Sequence, residues 1–296
     1  MNNLELIEQV LCYIDEHINE DIRFEDIAAQ FHYSSFHFHR VFSAVTGRTI
    51  SEYIKKRKLL YSYQKIIDSG LSITDICFMY GFKSVSTFNR LFKDAYNMTP
   101  SEARKRKNRI SFLSVDTILE GYKKRISFKG DFILEPRMEQ KSSFILMGYR
   151  EHTSLGFQVI GDVWCKLKEN KDNWKPVNPV TMYAFEDYSE DFLQEPVQFY
   201  YMAAVEVDES AEVYEGVSVK KIPASNYAIF TVNGKNQNGE IGKAFQYIYH
   251  SWLPNSEYCL SEKILGDFEY YDERWDCQET SSQMEIWIPI EMEKTC

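Results

Sequence analysis

No run of eighteen apolar residues occurs in this chain of 296 residues, so no membrane-spanning helix and no membrane partner are expected. The opening residues Met1-Asn2-Asn3-Leu4-Glu5 hold no basic cluster followed by an apolar stretch, so no secretory leader is expected and the location expected is cytoplasmic. The six cysteines, Cys12, Cys77, Cys165, Cys259, Cys277 and Cys296, include no pair at C-x-x-C spacing, and no Cys/His cluster has zinc-ligand spacing. Reduced, scattered thiols are expected, with no metal and no cofactor. No Ser-His-Asp pattern marks a hydrolase, and no catalytic residue is expected. Basic residues are almost missing from the first 39 positions, where Arg23 alone stands against eight acids.

The missing positive charge is gathered next door. Residues 40–109 carry fifteen Lys and Arg against five acids, whereas 110–296 carry eighteen against thirty-one. The chain as a whole has a net charge of −10, which would argue against nucleic acid, but a basic block between acidic ones is the footprint of a nucleic-acid-binding face. A length of 296 residues suits two domains, each able to bury its own core.

The basic block contains an internal repeat. Ser34, Phe38, Arg40 and Phe42 recur 50 residues later as Ser84, Phe88, Arg90 and Phe92, and the match continues through Thr49/Thr99, Ser51/Ser101 and Glu52/Glu102. A repeat of this kind means one structural unit used twice. Each copy has the pattern helix, tight turn, helix. In the second, Ser72 caps a helix with Asp75 three residues on, Gly81 supplies the turn, and Ser84 caps the next helix. In the first, Arg23 and His32 stand in the places of Ser72 and Gly81, both weaker choices. A long helix over about 51–68 separates the copies, with Ile54, Leu60, Tyr63 and Ile67 as its apolar stripe and Gly70 as a left-handed C-cap.

In helix-turn-helix proteins the second helix enters the major groove. On the helix after Ser34, burial of Phe38, Val41, Phe42 and Val45 leaves Ser35, Phe36, His39 and Arg40 facing out. On the helix after Ser84, the outward residues are Val85, Ser86, Asn89 and Arg90. Arg bonds guanine bidentately and Asn adenine, so Arg40 and Arg90 are the leading base readers. Lys83, Lys93 and the run Lys55–Lys58 suit phosphate contacts or plain solvated charge.

The pattern S-x-x-x-F-x-R-x-F with Gly47, then Tyr80-Gly81-Phe82, Phe88-x-Arg90-x-Phe92-Lys93 and Thr99-Pro100 resembles the AraC/XylS transcription regulators over about residues 4–108. The resemblance implies double-stranded DNA as partner, two recognition helices in one monomer, and contact with RNA polymerase. Ile50, Asn97 and Ala103 depart from the common Pro, Gly and Tyr of that family.

Residues 109–127 show no clear periodicity and suit a linker between an all-α domain at 1–108 and an α+β domain at 128–296. The latter has two similar halves, each strand–helix–strand–strand. The first comprises strand Phe144–Tyr149, a helix over about Leu155–Lys168, and strands near Thr181–Phe185 and Phe199–Val207. The second comprises strand Val217–Val232, a helix over about Ile241–Trp252, and strands near Phe268–Tyr271 and Met284–Ile290. In the last strand Met284, Ile286, Ile288 and Ile290 face the helices, and Glu285 and Trp287 face a cleft. A carboxylate among aromatics calls for a cation or a hydrogen-bond donor, and Tyr200, Trp252, Tyr270 and Trp275 are the expected walls.

Ile222-Pro223-Ala224-Ser225-Asn226-Tyr227, Asp267-Phe268-Glu269-Tyr270 and Glu285-Ile286-Trp287-Ile288-Pro289 resemble the gyrase-inhibitor-like (GyrI-like) effector-binding domains. That resemblance implies a small lipophilic, often cationic effector, with the Glu at position 285 at the pocket base. The expected function is ligand-responsive, sequence-specific transcription regulation, including multidrug sensing, and not an enzyme activity. Two alternatives stay open: hydrolysis of a reactive lipophilic compound with Glu285 as base, and binding of a protein partner.

Overall fold

The computed structural model describes residues 2–110, 114–125, 133–156, 158–189, 198–234, 239–276, 279 and 281–292. Cys277 and Cys296 lie outside them; of the other cysteines, all free thiols, Cys77 is buried and Cys12 and Cys165 are exposed. The chain divides into two compact units, Met1–Ile126 with Pro254–Ser256, and Ser127–Leu253 with Glu257–Cys296.

The first unit is helical: α1 (Asn3–Glu16), α2 (Phe24–Gln30), α3 (Ser35–Thr46), α4 (Ile50–Asp68), α5 (Ile73–Met79), α6 (Val85–Tyr96), α7 (Pro100–Arg106) and α8 (Val115–Arg125). Side-chain caps start the helices where the sequence places them. Ser34, Thr49, Ser72, Ser84 and Thr99 each accept a hydrogen bond from the backbone N–H three residues on. Arg23 makes no such bond, so α2 starts uncapped by its side chain, as its weaker residue predicts. His32 takes φ +59° at the turn where Gly81 takes +75°, and Asn97 takes φ +53° where Gly47 takes +70°. In both pairs a non-glycine residue bears the left-handed strain in one copy of the repeat.

Three expectations need correction. Gly70 is not left-handed; α4 ends at Asp68, and the Ser69 hydroxyl and N–H both donate to the Lys65 carbonyl at 2.6 and 3.1 Å, so the chain leaves extended. Ile54 and Tyr63 of the α4 stripe are buried, but Leu59 and Ile66 take the interior places expected of Leu60 and Ile67. The stripe follows the helix period one residue earlier than read. Residues 109–127 are also not wholly a linker, because they contain α8, which packs against α1 and α3.

His37 is buried with its Nε2 2.9 Å from Asn3 Oδ1, and burial lowers its pKa to about 3. His39, edge-on to the Phe24 ring, is lowered to about 4 by burial and then by the Arg40 charge. Both are neutral in the folded state at pH values where the unfolded chain, near 6.5, takes up protons. Stability is therefore fully present above pH 6.5 and is lost as pH falls toward 4. The expected slope is about 1.4 kcal/mol per pH unit per histidine. Chemical denaturation between pH 7 and 4.5 checks this, and His37→Gln should flatten the curve; an unchanged slope in that variant would contradict the assignment.

The second unit is a curled antiparallel half-barrel with helices on one face. Its strands are β1 (Arg137–Lys141), β2 (Phe144–His152), β3 (Met182–Asp187), β4 (Tyr200–Val207), β5 (Ser218–Ile222), β6 (Ser225–Asn233), β7 (Tyr258–Leu260), β8 (Gly266–Tyr271) and β9 (Gln283–Met292). Helix α9 (Gln158–Asn170) follows β2, and α10 (Glu240–Tyr247), continued by a π-helical turn Ile248–Trp252, follows β6. The expected single strand Val217–Val232 is two strands, because Pro223 has no N–H to give a ladder. The sheet order is β1-β6-β9-β8-β3-β4-β2-β5, with β7 on β9. About the central β3–β8 pair the two halves mirror each other, each strand–helix–strand–strand. The short strands β1 and β5 are exchanged: each pairs with the leading long strand of the other half.

The face away from the helices is filled by the sheet's own side chains, among them Phe144, Tyr183, Phe185, Tyr227, Phe268 and Trp287. The helical face packs Val163 and Leu167 of α9 against Ala184, Tyr201, Ala203 and Val205. The curl brings β2 close to β4 at Gly148, where a Cβ would lie 1.9 Å from the Ala203 carbonyl oxygen. Backbone must move to admit it, so Gly148→Ala is expected to lower stability by about 2–4 kcal/mol in urea unfolding. A wild-type midpoint in that variant would mean that the strands separate freely there.

Candidate DNA-reading and ligand sites

The two candidate reading helices, α3 and α6, are equivalent in the repeat but not in setting. On α6 only Phe88 and Phe92 are buried, both at 0% exposure, and they anchor the helix by ring contacts to Phe82, Tyr63 and Tyr96. Ser86, Asn89, Arg90 and Lys93 are exposed, and Val85 is half-buried. A polar, basic face is left along the helix, with Lys83 just before it.

On α3 eight of twelve residues are buried. Ser35 and Arg40 are half-buried, but Phe36 and His39, expected to face outward, are 3% and 6% exposed. Helices α1, α2, α4 and α8 all pack on α3; around α6 the repeat sets α4, α5 and α7 in the places of α1, α2 and α4, and α8 is the added layer on α3. Within this crowded setting the Phe36 ring lies under the Arg40 guanidinium at 5.4 Å, and His39 meets Phe24. The Phe36 ring supports Arg40, and His39 packs the helix against α2.

In the second unit, Glu285 and Trp287 face away from the helices, as strand alternation predicts, and Tyr270 stacks on Trp287 at 4.9 Å between centroids. The other expected walls lie elsewhere. Tyr200 sits at the far end of β4, with the Arg150 guanidinium 3.5 Å over its ring, beside Asp187, which is ion-paired to Arg150 and Lys220. Trp252 packs on Phe230 across the sheet from Trp287, and Trp275 packs on Tyr271, also on the helical side.

Glu285 is not an open carboxylate. Its Oε2 accepts from Arg137 at 2.9 Å and from Trp287 Nε1 at 2.8 Å, and its Oε1 accepts from Arg274 at 2.6 Å. Burial raises its pKa, but the two guanidinium partners outweigh that and hold it below the ordinary carboxylate range. The donors expected of a ligand are thus supplied by the chain. A carboxylate so held is also a weak base.

A second carboxylate, not singled out from the sequence, has the missing property. Glu269 on β8 is 6% exposed and faces the helical side. Its Oε2 accepts from the Tyr201 hydroxyl at 3.0 Å and the Tyr271 hydroxyl at 2.8 Å, and Tyr201 accepts in turn from Trp164 Nε1 of α9 at 3.0 Å. Trp164 stands edge-on to Tyr271 at 5.3 Å, and Trp275 closes the next side of Tyr271. Among the described residues no cation pairs with Glu269. Burial pushes its pKa up, and the tyrosine hydrogen bonds offset part of that. A negative charge here would be held by two tyrosine hydroxyls, with Trp164 and Trp275 packed against those tyrosines. Alternation puts Glu269 on one face with Asp267 and Tyr271, against Phe268 and Tyr270, which by itself marks that face as polar and not as buried.

Among the described residues no cluster of His, Cys, Asp and Glu could hold a metal, and no helix is long and apolar enough to cross a membrane.

Both units have relatives among known proteins. A helix-turn-helix domain family model matches residues 27–106, and the model of the GyrI-like small molecule binding domain matches 134–291. The probable transcription factor PqrA of Proteus vulgaris is 37% identical over 101 residues, which are 33% of this chain and 83% of PqrA. The regulatory protein SoxS of Escherichia coli (strain K12) is 32% identical over 106 residues, 36% of this chain and 99% of SoxS. A solved structure described as SAV2435 bound to tetraphenylphosphonium is 19% identical, with a TM-score of 0.43, over 53% of this chain and 94% of that one. The repeat, the caps and the matched families lead to one assignment: this chain belongs to the AraC/XylS family of DNA-binding transcription regulators and carries a GyrI-like small-molecule binding domain.

Proposed function

We propose that this regulator responds to a lipophilic cation held at Glu269, and that it reads DNA chiefly through α6. The observation that carries the first part is a buried carboxylate ringed by tyrosine and tryptophan with no cationic partner of its own among the described residues. Binding there would exchange the cost of a buried acid for an ion pair and ring contacts. Glu285, already neutralised by Arg137 and Arg274, acts as a strut between β9 and its neighbours. For DNA, Arg90 and Asn89 are the base readers supported by exposure, with Ser86 beside them; Arg40 and Ser35 of α3 make a smaller contribution. Titration of the full chain with tetraphenylphosphonium, against neutral triphenylphosphine oxide, tests the sensor. Equal affinity for the two would reject a charge-selective site.

A further inference from the structure

We propose that the DNA-binding unit holds a ligand site of its own, for an amphipathic organic carboxylate. It lies in the other unit from Glu269 and shares no residue with the site above. A cavity of about 600 Å³ opens where the C-terminal ends of both recognition helices converge on α4. Thr46 ends α3 and Tyr96 ends α6, and these are equivalent positions of the 50-residue repeat. The volume falls in the range of about 300–1,000 Å³ usual for small-molecule pockets.

The lining fixes the chemistry. Leu59, Leu60, Tyr96, Ile110 and Ile118 provide apolar surface. Tyr53, 4% exposed, forms part of the wall, and its hydroxyl has no hydrogen-bond partner among the described residues. A buried hydroxyl without an acceptor is a standing cost to the fold. Arg57 also lines the cavity, but Asp15 on α1 neutralises it in a bidentate pair. Arg48 and Lys56 are exposed at the mouth and have no ion-pair partner among the described residues; Asp94 is the acid beside them. An apolar body with one negative head therefore fits, and a cationic head does not.

The location gives such a ligand something to control. It would touch the tail ends of α3 and α6, the helix α4 that spaces them, and Ile118 of α8, which packs on α3. The N-terminal halves of the recognition helices, which face base edges in helix-turn-helix complexes, stay clear. Occupancy would thus set the spacing of the two reading helices without covering their base-reading ends.

The test is calorimetric titration of the full chain with three compounds that share one body: 4-biphenylcarboxylate, 4-biphenylmethanol and 4-phenylbenzylamine. The carboxylate is expected to bind at least tenfold tighter than the alcohol. The surface pair Arg48→Glu with Lys56→Glu should erase that preference, and Leu60→Trp, which fills the cavity, should abolish carboxylate binding. Should Leu60→Trp fail to fold, the charge reversals still decide, since both side chains are exposed. No binding by the wild-type chain, no preference for the acid, or a preference that survives both charge reversals would each overturn the proposal.

Discussion

Glu269→Gln is expected to weaken tetraphenylphosphonium binding about thirtyfold while leaving the affinity for triphenylphosphine oxide within about twofold, a difference of about 2 kcal/mol. Gln keeps the volume and can still accept from the hydroxyls of Tyr201 and Tyr271, so the site stays intact and only the charge is lost. A pH dependence accompanies this. Burial raises the Glu269 pKa, so the folded chain keeps a proton that the unfolded chain has already released. This raised pKa means that stability from the site is fully present below the ordinary carboxylate range and declines as pH rises through the folded value. A cation prefers the ionised form, so its affinity should climb over the same interval and binding should release a proton. In Glu269→Gln both trends should vanish. Calorimetry in buffers of different ionisation enthalpy measures the proton directly. A cation that binds with no proton release and equally well to the Gln variant would place it outside this site. Glu285→Gln serves as the contrast: it removes the charge that Arg137 and Arg274 share, leaving them Glu139 and Asp272, and is expected to cost stability before it costs cation affinity.

Arg90→Ala is expected to weaken specific operator binding by about 1–3 kcal/mol, or five- to 150-fold, and to relax preference at one base position. The exposed guanidinium on α6 has nothing to lose in the fold, so its melting temperature should not move. Arg40→Ala, in the repeat-equivalent position, should act differently. Arg40 is half-buried over the Phe36 ring, on a helix packed on four sides, so its removal should lower stability and change operator affinity less. Gel-shift titrations at fixed salt, with each variant's unfolding midpoint beside them, separate the two. If Arg40→Ala costs the DNA more than Arg90→Ala does, α3 is the dominant reader and the ranking is wrong.

The asymmetry between the reading helices shows where sequence reasoning stops. The 50-residue repeat makes Arg40 and Arg90 formal equivalents, and the caps Ser34 and Ser84 bear that out. Nothing in the repeat reveals that α8 adds a further layer on α3, since its residues show no clear periodicity in the sequence and follow the second copy. The carboxylates tell a similar story. Alternation along β9 assigned Glu285 to the right face, but only the register that brings in Arg137 and Arg274 shows it to be occupied. Glu269 shares its strand face with Asp267, so alternation marks it as polar and only the tertiary packing buries it. Its partner Tyr201, and Trp164 that donates to Tyr201, come from a strand and a helix more than sixty residues away, and no local pattern connects them.

By itself the sequence determined the two domains, the duplicated helix-turn-helix with its caps and turns, the paired strand–helix–strand–strand halves, and the families to which they belong. These follow from short-range rules: capping, turn stereochemistry and hydrophobic period act over a few residues and are written in the order of the chain. Which helix of the repeat stays exposed, which buried glutamate has no cationic partner among the described residues, and where Thr46 and Tyr96 line a cavity were decided by the tertiary structure. Burial and electrostatics depend on what packs from a distance, and a partner's charge, not a residue's own identity, sets whether a carboxylate is a strut or a site.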